Sequence, residues 1–225
     1  SPSRPALRVL LAETLSRGGN FAEAVEEYRR AADDAPDSAL IAVRLGTLLA
    51  MRGNPEGALL ELRRAVELDP GATVAWDLIA RLHVRSGQPD EAASAYRQWL
   101  KAEPGSVAAA NNLAYLLAEA GDLSEAAALA ARAVELAPEA PEPADTLGWV
   151  YLKQGQIPAA LSIFARLAAE HPEKQTYRSH HGLALLAAGR NAEAVRELRG
   201  ALELDGRSPE ADKIRAALVQ AGRPE

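Results

Sequence analysis

The chain has 225 residues and a formal net charge of −6 at pH 7; it is 48% hydrophobic, only 4% aromatic, and contains no Cys. The missing Cys excludes disulfides, thiolate metal sites and a cysteine nucleophile. Lys and Arg scattered singly or in pairs on an acidic chain argue against a nucleic-acid surface, which needs a basic stripe, and no apolar run approaches the roughly 18 residues of a membrane span.

A core rich in Ala, Leu and Val and poor in large rings suits closely packed helices, so an all-α fold is expected. The opening Ser1-Pro2-Ser3-Arg4 is not a signal peptide, and because the regular pattern starts almost at once we read the chain as an excised or processed piece. Along the chain Pro36, Pro70, Pro104, Pro138 and Pro172 recur every 34 residues, with Gly206 in the next place. Gly19, Gly53, Gly87, Gly121, Gly155 and Gly189 lie 17 residues before these breakers. Gly closes a helix through the left-handed conformation, and Pro cannot continue one. Two antiparallel helices per period follow, in six units at 5–38, 39–72, 73–106, 107–140, 141–174 and 175–208.

Within the second helix of each unit a small residue recurs as Ala24, Ala58, Ala92, Ala126, Ala160 and Ala194. Four residues later stand Tyr28, Leu62, Tyr96, Phe164 and Leu198, with Ala130 as the small exception. The two columns share one helix face and predict close approach of paired helices. Trp99 replaces the small residue found at Ala31, Ala65, Ala133 and Ala201, and is expected to be a packed core indole beside the small Ala108, Ala109 and Ala110. A closing helix is expected over 209–221, with Pro209 in its first turn, Ile214 and Leu218 facing inward, and Lys213, Arg215 and Gln220 in water. No comparable element covers the first unit.

The pattern resembles the tetratricopeptide repeat family. The fifth unit carries it best, with Leu147-Gly148, Tyr151, Ala160, Phe164 and Pro172 at the family's spacing; the third supplies Trp76, Ile79, Ala92, Tyr96 and Pro104. The resemblance implies a single domain, a right-handed superhelical solenoid of six repeats plus a C-terminal capping helix, with first helices lining a concave groove and second helices on the convex side. It also implies a non-catalytic scaffold that binds a protein or peptide partner and needs no cofactor.

The residues fit that expectation. Of the four histidines, His83, His171, His180 and His181, none is paired at i, i+4, and His180 and His181 point about 100° apart on a helix. No phosphate-binding loop, dinucleotide fingerprint or nucleophile elbow is present, and no metal site is expected. Arg29-Arg30 and Arg63-Arg64 read as a solvated outer face, with Glu26 to Arg30 and Arg63 to Glu67 at ion-pair spacing. On the implied groove the N-terminal half presents Val9, Leu40, Val43, Thr47, Ala50, Val74 and Val84. The C-terminal half presents Asn111, Asn112, Tyr115, Asp145, Trp149 and Lys153. Asn amides both donate to and accept from a peptide backbone, and Tyr and Trp give rigid contact area, so these six residues are the candidate partner site.

The carboxylate clamp of chaperone-binding relatives is not matched, because Val9, Glu13 and Arg44 stand where its basic groups would be. A second resemblance covers about 107–156, where Asn111-Asn112-Leu113-Ala114-Tyr115-Leu116-Leu117 and Asp145-Thr146-Leu147-Gly148-Trp149 look like bacterial tetratricopeptide lipoproteins of exosortase and exopolysaccharide systems. It implies a periplasmic or envelope scaffold. Two alternatives remain open: an array that self-assembles through its uncovered first unit, and the targeting arm of a larger enzyme such as a glycosyltransferase.

Overall fold

In the computed structural model, which describes residues 3–222, thirteen α-helices follow one another and no strand occurs among the described residues. They are α1 (Arg4–Arg17), α2 (Phe21–Asp34), α3 (Ala39–Met51), α4 (Pro55–Leu68), α5 (Thr73–Arg85), α6 (Pro89–Ala102), α7 (Val107–Ala120), α8 (Leu123–Leu136), α9 (Pro141–Lys153), α10 (Ile157–Glu170), α11 (Gln175–Ala187), α12 (Asn191–Leu204) and α13 (Ala211–Ala221). Each odd helix with the even one after it occupies one of the 34-residue periods. The chain divides into two compact units, one up to Ala109 and the other from Ala110 onward. In the first unit α1 packs on α2, α2 on α3, α3 on α4, α4 on α5 and α5 on α6; in the second the same succession runs from α8 through α13.

The glycine series does what its spacing predicts. All six adopt positive φ, between 69° and 91°, and no other described residue does. The amide following each Gly closes back on the carbonyl five residues earlier, as Gln156 N–H does to Tyr151 O at 2.9 Å and Asn54 N–H to Leu49 O at 3.0 Å. This bond satisfies a carbonyl that the helix end would otherwise orphan. Two second helices start on capping or pre-set residues: at α4 Asn54 Oδ1 accepts from Gly57 N–H at 2.9 Å, and Pro55 of α4 and Pro89 of α6 occupy the first helical position.

Packing within each hairpin rests on the two columns of the second helix. Ala24, Ala58, Ala92, Ala126, Ala160 and Ala194 are all fully buried, and so are Leu62, Ala130, Phe164 and Leu198. A matching column of small residues on the first helices, Ala12, Gly46, Ala80, Ala114, Gly148 and Gly182, is buried opposite. Where that residue is Gly, its partner is a large side chain pressed onto the backbone. A Cβ at Gly46 would lie 2.7 Å from Leu62 Cγ, at Gly148 2.8 Å from Phe164 Cε1, and at Gly182 2.7 Å from Leu198 Cγ. Trp99 is buried as expected, stacked on Tyr96 with ring centroids 6.3 Å apart, its indole N–H donating to Glu103 Oε2 at 3.0 Å.

Two details differ from the sequence reading. The closing helix begins at Ala211 rather than at Pro209: the Ala211 amide bonds Ser208 O, so a tight turn precedes the helix and Pro209 falls within that turn. Ile214 nonetheless packs with Ala217 against Leu198 and Ala201, flanked by Leu218. On the outer face Arg30 pairs with Glu27 at 2.6 Å and Arg29 with Glu26 at 2.7 Å, both at i, i+3, instead of the Glu26–Arg30 pairing. Glu27 is the better partner because it also receives Arg8, at 3.0 Å, and is largely shielded. Arg64 donates to Pro36 O at 2.6 Å.

The two kinds of glycine give separable predictions. At Gly155 the φ is 74° and a Cβ would meet nothing within 4 Å, so Gly155→Ala carries only the conformational cost, about 1 to 2 kcal/mol. At Gly148 the backbone is helical and Ala is the better helix former, yet the added methyl collides with Phe164. Overpacking of about 1 to 3 kcal/mol should dominate there. Urea unfolding of both variants checks this, and pairing Gly148→Ala with Phe164→Leu should recover part of the loss only at position 148.

Candidate functional site

The six predicted residues fall on two first helices of the second unit, α7 and α9, and the structure brings several of them together. Glu119, one turn beyond Tyr115 on α7, is the hub. Its Oε1 accepts from the Trp149 indole N–H at 2.8 Å and lies 3.0 Å from Lys153 Nζ. The Lys153 ammonium sits 5.2 Å from the Trp149 ring centroid, within cation–π range. On its other side Trp149 stacks on the His180 imidazole of α11, centroids 4.8 Å apart and planes 28° from parallel. His180 in turn tilts against Phe164 at 5.3 Å, and its Nδ1–H donates to Asp145 Oδ1 at 2.7 Å.

Trp149 is therefore clamped: its polar edge is held by Glu119 and one face by His180, which itself rests on the hairpin core through Phe164. An anchored ring loses little entropy when something packs on it. Asn111 and Tyr115 remain less committed. Asn111 Nδ2 donates to Asn112 Oδ1 at 3.3 Å, while Asn111 Oδ1 is buried with no hydrogen-bond partner. Tyr115 is 41% exposed.

The charges are arranged unevenly. Burial alone pushes the Glu119 carboxyl up, but hydrogen bonds from Trp149 and Lys153 and the positive charges of Lys153 and Lys213 outweigh it. The group is held below the ordinary value of 4.5. The Tyr115 phenol is pushed up by burial and by the carboxylates of Glu119, Glu210 and Asp145, so it stays a hydrogen-bond donor across the physiological range. Burial lowers His181, which stays neutral near pH 7.

Of these groups, Glu119 lies outside the sequence candidates, and the sequence reads His180 as an exposed or core-edge histidine with no metal-ligand spacing. One signal was available. Glu119 and Lys153 have opposite charge and lie one 34-residue period apart, the separation that places two side chains side by side on neighbouring first helices. Lys213, expected to point to water, is exposed yet near enough to act on Glu119.

The apolar positions predicted for the first unit are arranged differently. Leu40, Val74 and Val84 are exposed, at 60%, 58% and 45%, whereas Val9 packs with Ala31, Ala32 and Ile41. Thr47 and Ala50 line a shallow recess of about 290 Å³ with Met51, Leu78, Arg81 and Leu82. Arg44 pairs with Glu13, so the one guanidinium near the sites of a carboxylate clamp is already neutralised. Among the described residues no group of three or more His, Asp or Glu is placed to hold a metal ion, and no helix is long and apolar enough to cross a membrane.

Stacked helical hairpins with a polar and aromatic face on their first helices define an all-α repeat protein of the interaction-scaffold class. The tetratricopeptide repeat profile matches residues 9–73 and 78–141, and two further profiles of the same description match 117–183 and 175–199. The chain belongs to the tetratricopeptide repeat family, which is in general non-catalytic and binds protein partners.

Among solved structures it is similar to a tetratricopeptide repeat protein from Parabacteroides merdae, with TM-score 0.74, 14% identity, and 97% of this chain and 99% of that one covered. It is also similar to PilW, described as a widely conserved type IV pilus biogenesis factor, with TM-score 0.73, 17% identity and 96% and 100% covered. A third is YrrB, described as having an unusual peptide-binding site, with TM-score 0.66, 21% identity and 85% and 99% covered. At these identities the likeness is one of fold. No curated protein matches the sequence.

The hub carries a pH signature. A carboxylate whose folded value is depressed contributes stability that is present above the unfolded value and is lost as pH falls through the folded one. The Glu119 contribution should therefore be intact above about pH 4.5 and fade below it. Glu119→Gln should flatten that part of the acid-unfolding profile, and Glu119→Ala, which removes the acceptor of the indole N–H, should alter Trp149 fluorescence at neutral pH. An unchanged profile and spectrum would remove Glu119 from the hub.

Proposed function

We propose that the second unit binds an extended or helical segment of a partner protein on the face formed by Asn111, Asn112, Tyr115, Asp145, Trp149 and Lys153, with no catalytic role. The observation that carries this reading is the contrast between a clamped Trp149 and the adjacent uncommitted groups. Asn111 Oδ1 is buried without a partner, and Tyr115, one turn before the Glu119 that holds the ring, presents a protonated phenol. A backbone carbonyl of a bound segment would accept from the Tyr115 phenol. YrrB's described peptide-binding site supports the ligand class by analogy of fold. The bacterial-envelope assignment draws on the resemblance of 107–156 and on the fold likeness to PilW, and rests on this binding reading.

The test compares partner capture by the intact chain and by Trp149→Ala, with mass spectrometry identifying what is lost, followed by titration of that partner against Asn111→Ala, Tyr115→Ala and Trp149→Ala. Each variant should weaken binding by more than about 1 kcal/mol while retaining helical circular dichroism. Equal affinity across the variants places the interface elsewhere.

A second reading has its own observation. Leu7 and Leu11 on α1 are the repeat equivalents of Ile41 and Leu45, which are 5% and 1% exposed; Leu7 is 51% and Leu11 47% exposed, and Leu10 beside them 58%. The same apolar column is covered in the second repeat and bare in the first, a face suited to a second copy. Light scattering over a concentration series should then show association that Leu11→Glu abolishes, and a persistent monomer excludes it.

A further inference from the structure

The sixth repeat breaks the pattern at two positions together. In the second-helix column of Arg30, Arg64, Gln98, Arg132 and Arg166, the sixth unit has Gly200. Gly in a helix interior costs about 1 kcal/mol relative to Ala, so it calls for a local reason. That reason is Arg178. In the first-helix column of Arg8, Ala42, Trp76, Ala110 and Ala144, α11 carries Arg178, and its guanidinium lies directly over the Gly200 backbone. A Cβ at Gly200 would overlap this group, 2.7 Å from Nη1. The Arg178 guanidinium thus occupies space that a side chain at position 200 would close, whereas Arg8 of the first repeat stands with Arg30 in that column.

Arg8, in the equivalent position of the first repeat, has two acidic partners, Glu27 at 3.0 Å and Asp34 at 2.7 Å. Arg178 keeps the first, through Nε to Glu197 at 3.3 Å, but the counterpart of Asp34 is Leu204. Its two terminal nitrogens have no hydrogen-bond partner among the described residues. They line a recess of about 420 Å³ together with Arg196, Arg199, Gly200 and Glu203. Arg196 has only a distant pairing with Glu193, at 3.7 Å, and Arg199 forms no ion pair among the described residues. Counting Glu203 in the lining, Glu197 and Glu193 paired with Arg178 and Arg196, and Arg190 that holds Glu193, four guanidinium groups stand against three carboxylates on this face of a chain of charge −6.

We propose that this recess between α11 and α12 is an oxyanion site of the phosphate class, with Arg178 as the seated fork and Arg199 and Arg196 closing on the remaining oxygens. Guanidinium groups bind phosphate bidentately, and two or more are needed to balance a dianion. Arg199, which forms no ion pair among the described residues, supplies the one positive charge in excess. The ligand is a free phosphate or a phosphorylated side chain, which share this chemistry.

The test measures binding by the full chain of inorganic phosphate, and separately of a short phosphoserine peptide and its unphosphorylated form, at fixed ionic strength with chloride as control. Saturable binding of phosphate, weakened about tenfold or more by Arg178→Gln and by Arg199→Gln, is expected. Gly200→Ala is the sharper variant. It should raise or preserve the melting temperature, because Ala is the better helix former and the displaced group is a flexible end, yet abolish phosphate binding. Preference for the phosphopeptide over free phosphate identifies a phosphorylated side chain as the source, and equal affinity identifies a free phosphate. Binding no stronger than that of chloride, or unaffected by Gly200→Ala and Arg178→Gln alike, overturns the proposal.

Discussion

Close approach of the two helices in each hairpin is the constraint on which the rest depends. It is achieved without large buried rings on both sides, by setting a small residue on one helix against whatever the other presents. Phe164 lies on Gly148, and Leu62 and Leu198 on Gly46 and Gly182, so bulk on α4, α10 and α12 is matched by absence of a side chain on α3, α9 and α11. A hairpin of two 13- or 14-residue helices is too short to persist alone, and its stability comes from burying one hairpin's apolar surface against the next. The Gly turns hold the hairpin angle, and the small columns set its depth. Both recur at one spacing, so within each unit neighbouring hairpins repeat the same contacts.

That regularity explains what could be read from the chain. The breakers fix helix ends because they act locally: a Gly with φ near 74° or a Pro without an amide does its work whatever surrounds it. The Ala columns were legible because a buried contact repeated six times leaves a six-fold trace. What lay outside the repeat was harder. The start of α13 depends on a bond from Ala211 to Ser208, and a Pro placed two residues earlier fits a turn as well as a first helical turn. The Arg29 and Arg30 pairings depended on rotamers and on Arg8 reaching from another helix, which i, i+4 counting cannot see.

The candidate face was half legible for the same reason. Residue types identified Asn111, Tyr115, Asp145 and Trp149, but not who holds them. Glu119 and His180 convert Trp149 from a free aromatic into a fixed one, and they do so across helices one period apart. Asp145 holds His180, which holds the ring, and Phe164 supports His180 from the core. Hairpin packing and the polar face are thus joined through one imidazole. Such preorganisation is the usual difference between an exposed aromatic and one that contributes to binding.

A repeat also supplies its own control for reading function. A residue that keeps the pattern is explained by packing, since its equivalents do the same work in other units; one that breaks it needs a cause of its own. Trp99 breaks the column and is answered locally by Tyr96 and Glu103, so it carries no further meaning. Leu7 and Leu11 keep the column but lack the cover that Ile41 and Leu45 receive. Gly200 breaks its column beneath Arg178, and of the two acids that hold Arg8 only the equivalent of Glu27 is present beside Arg178. Volume alone would have been satisfied by Ala at both positions, as at Ala144. Retaining a guanidinium at the expense of helix propensity indicates that the charge at this surface is what the pairing of Arg178 with Gly200 preserves.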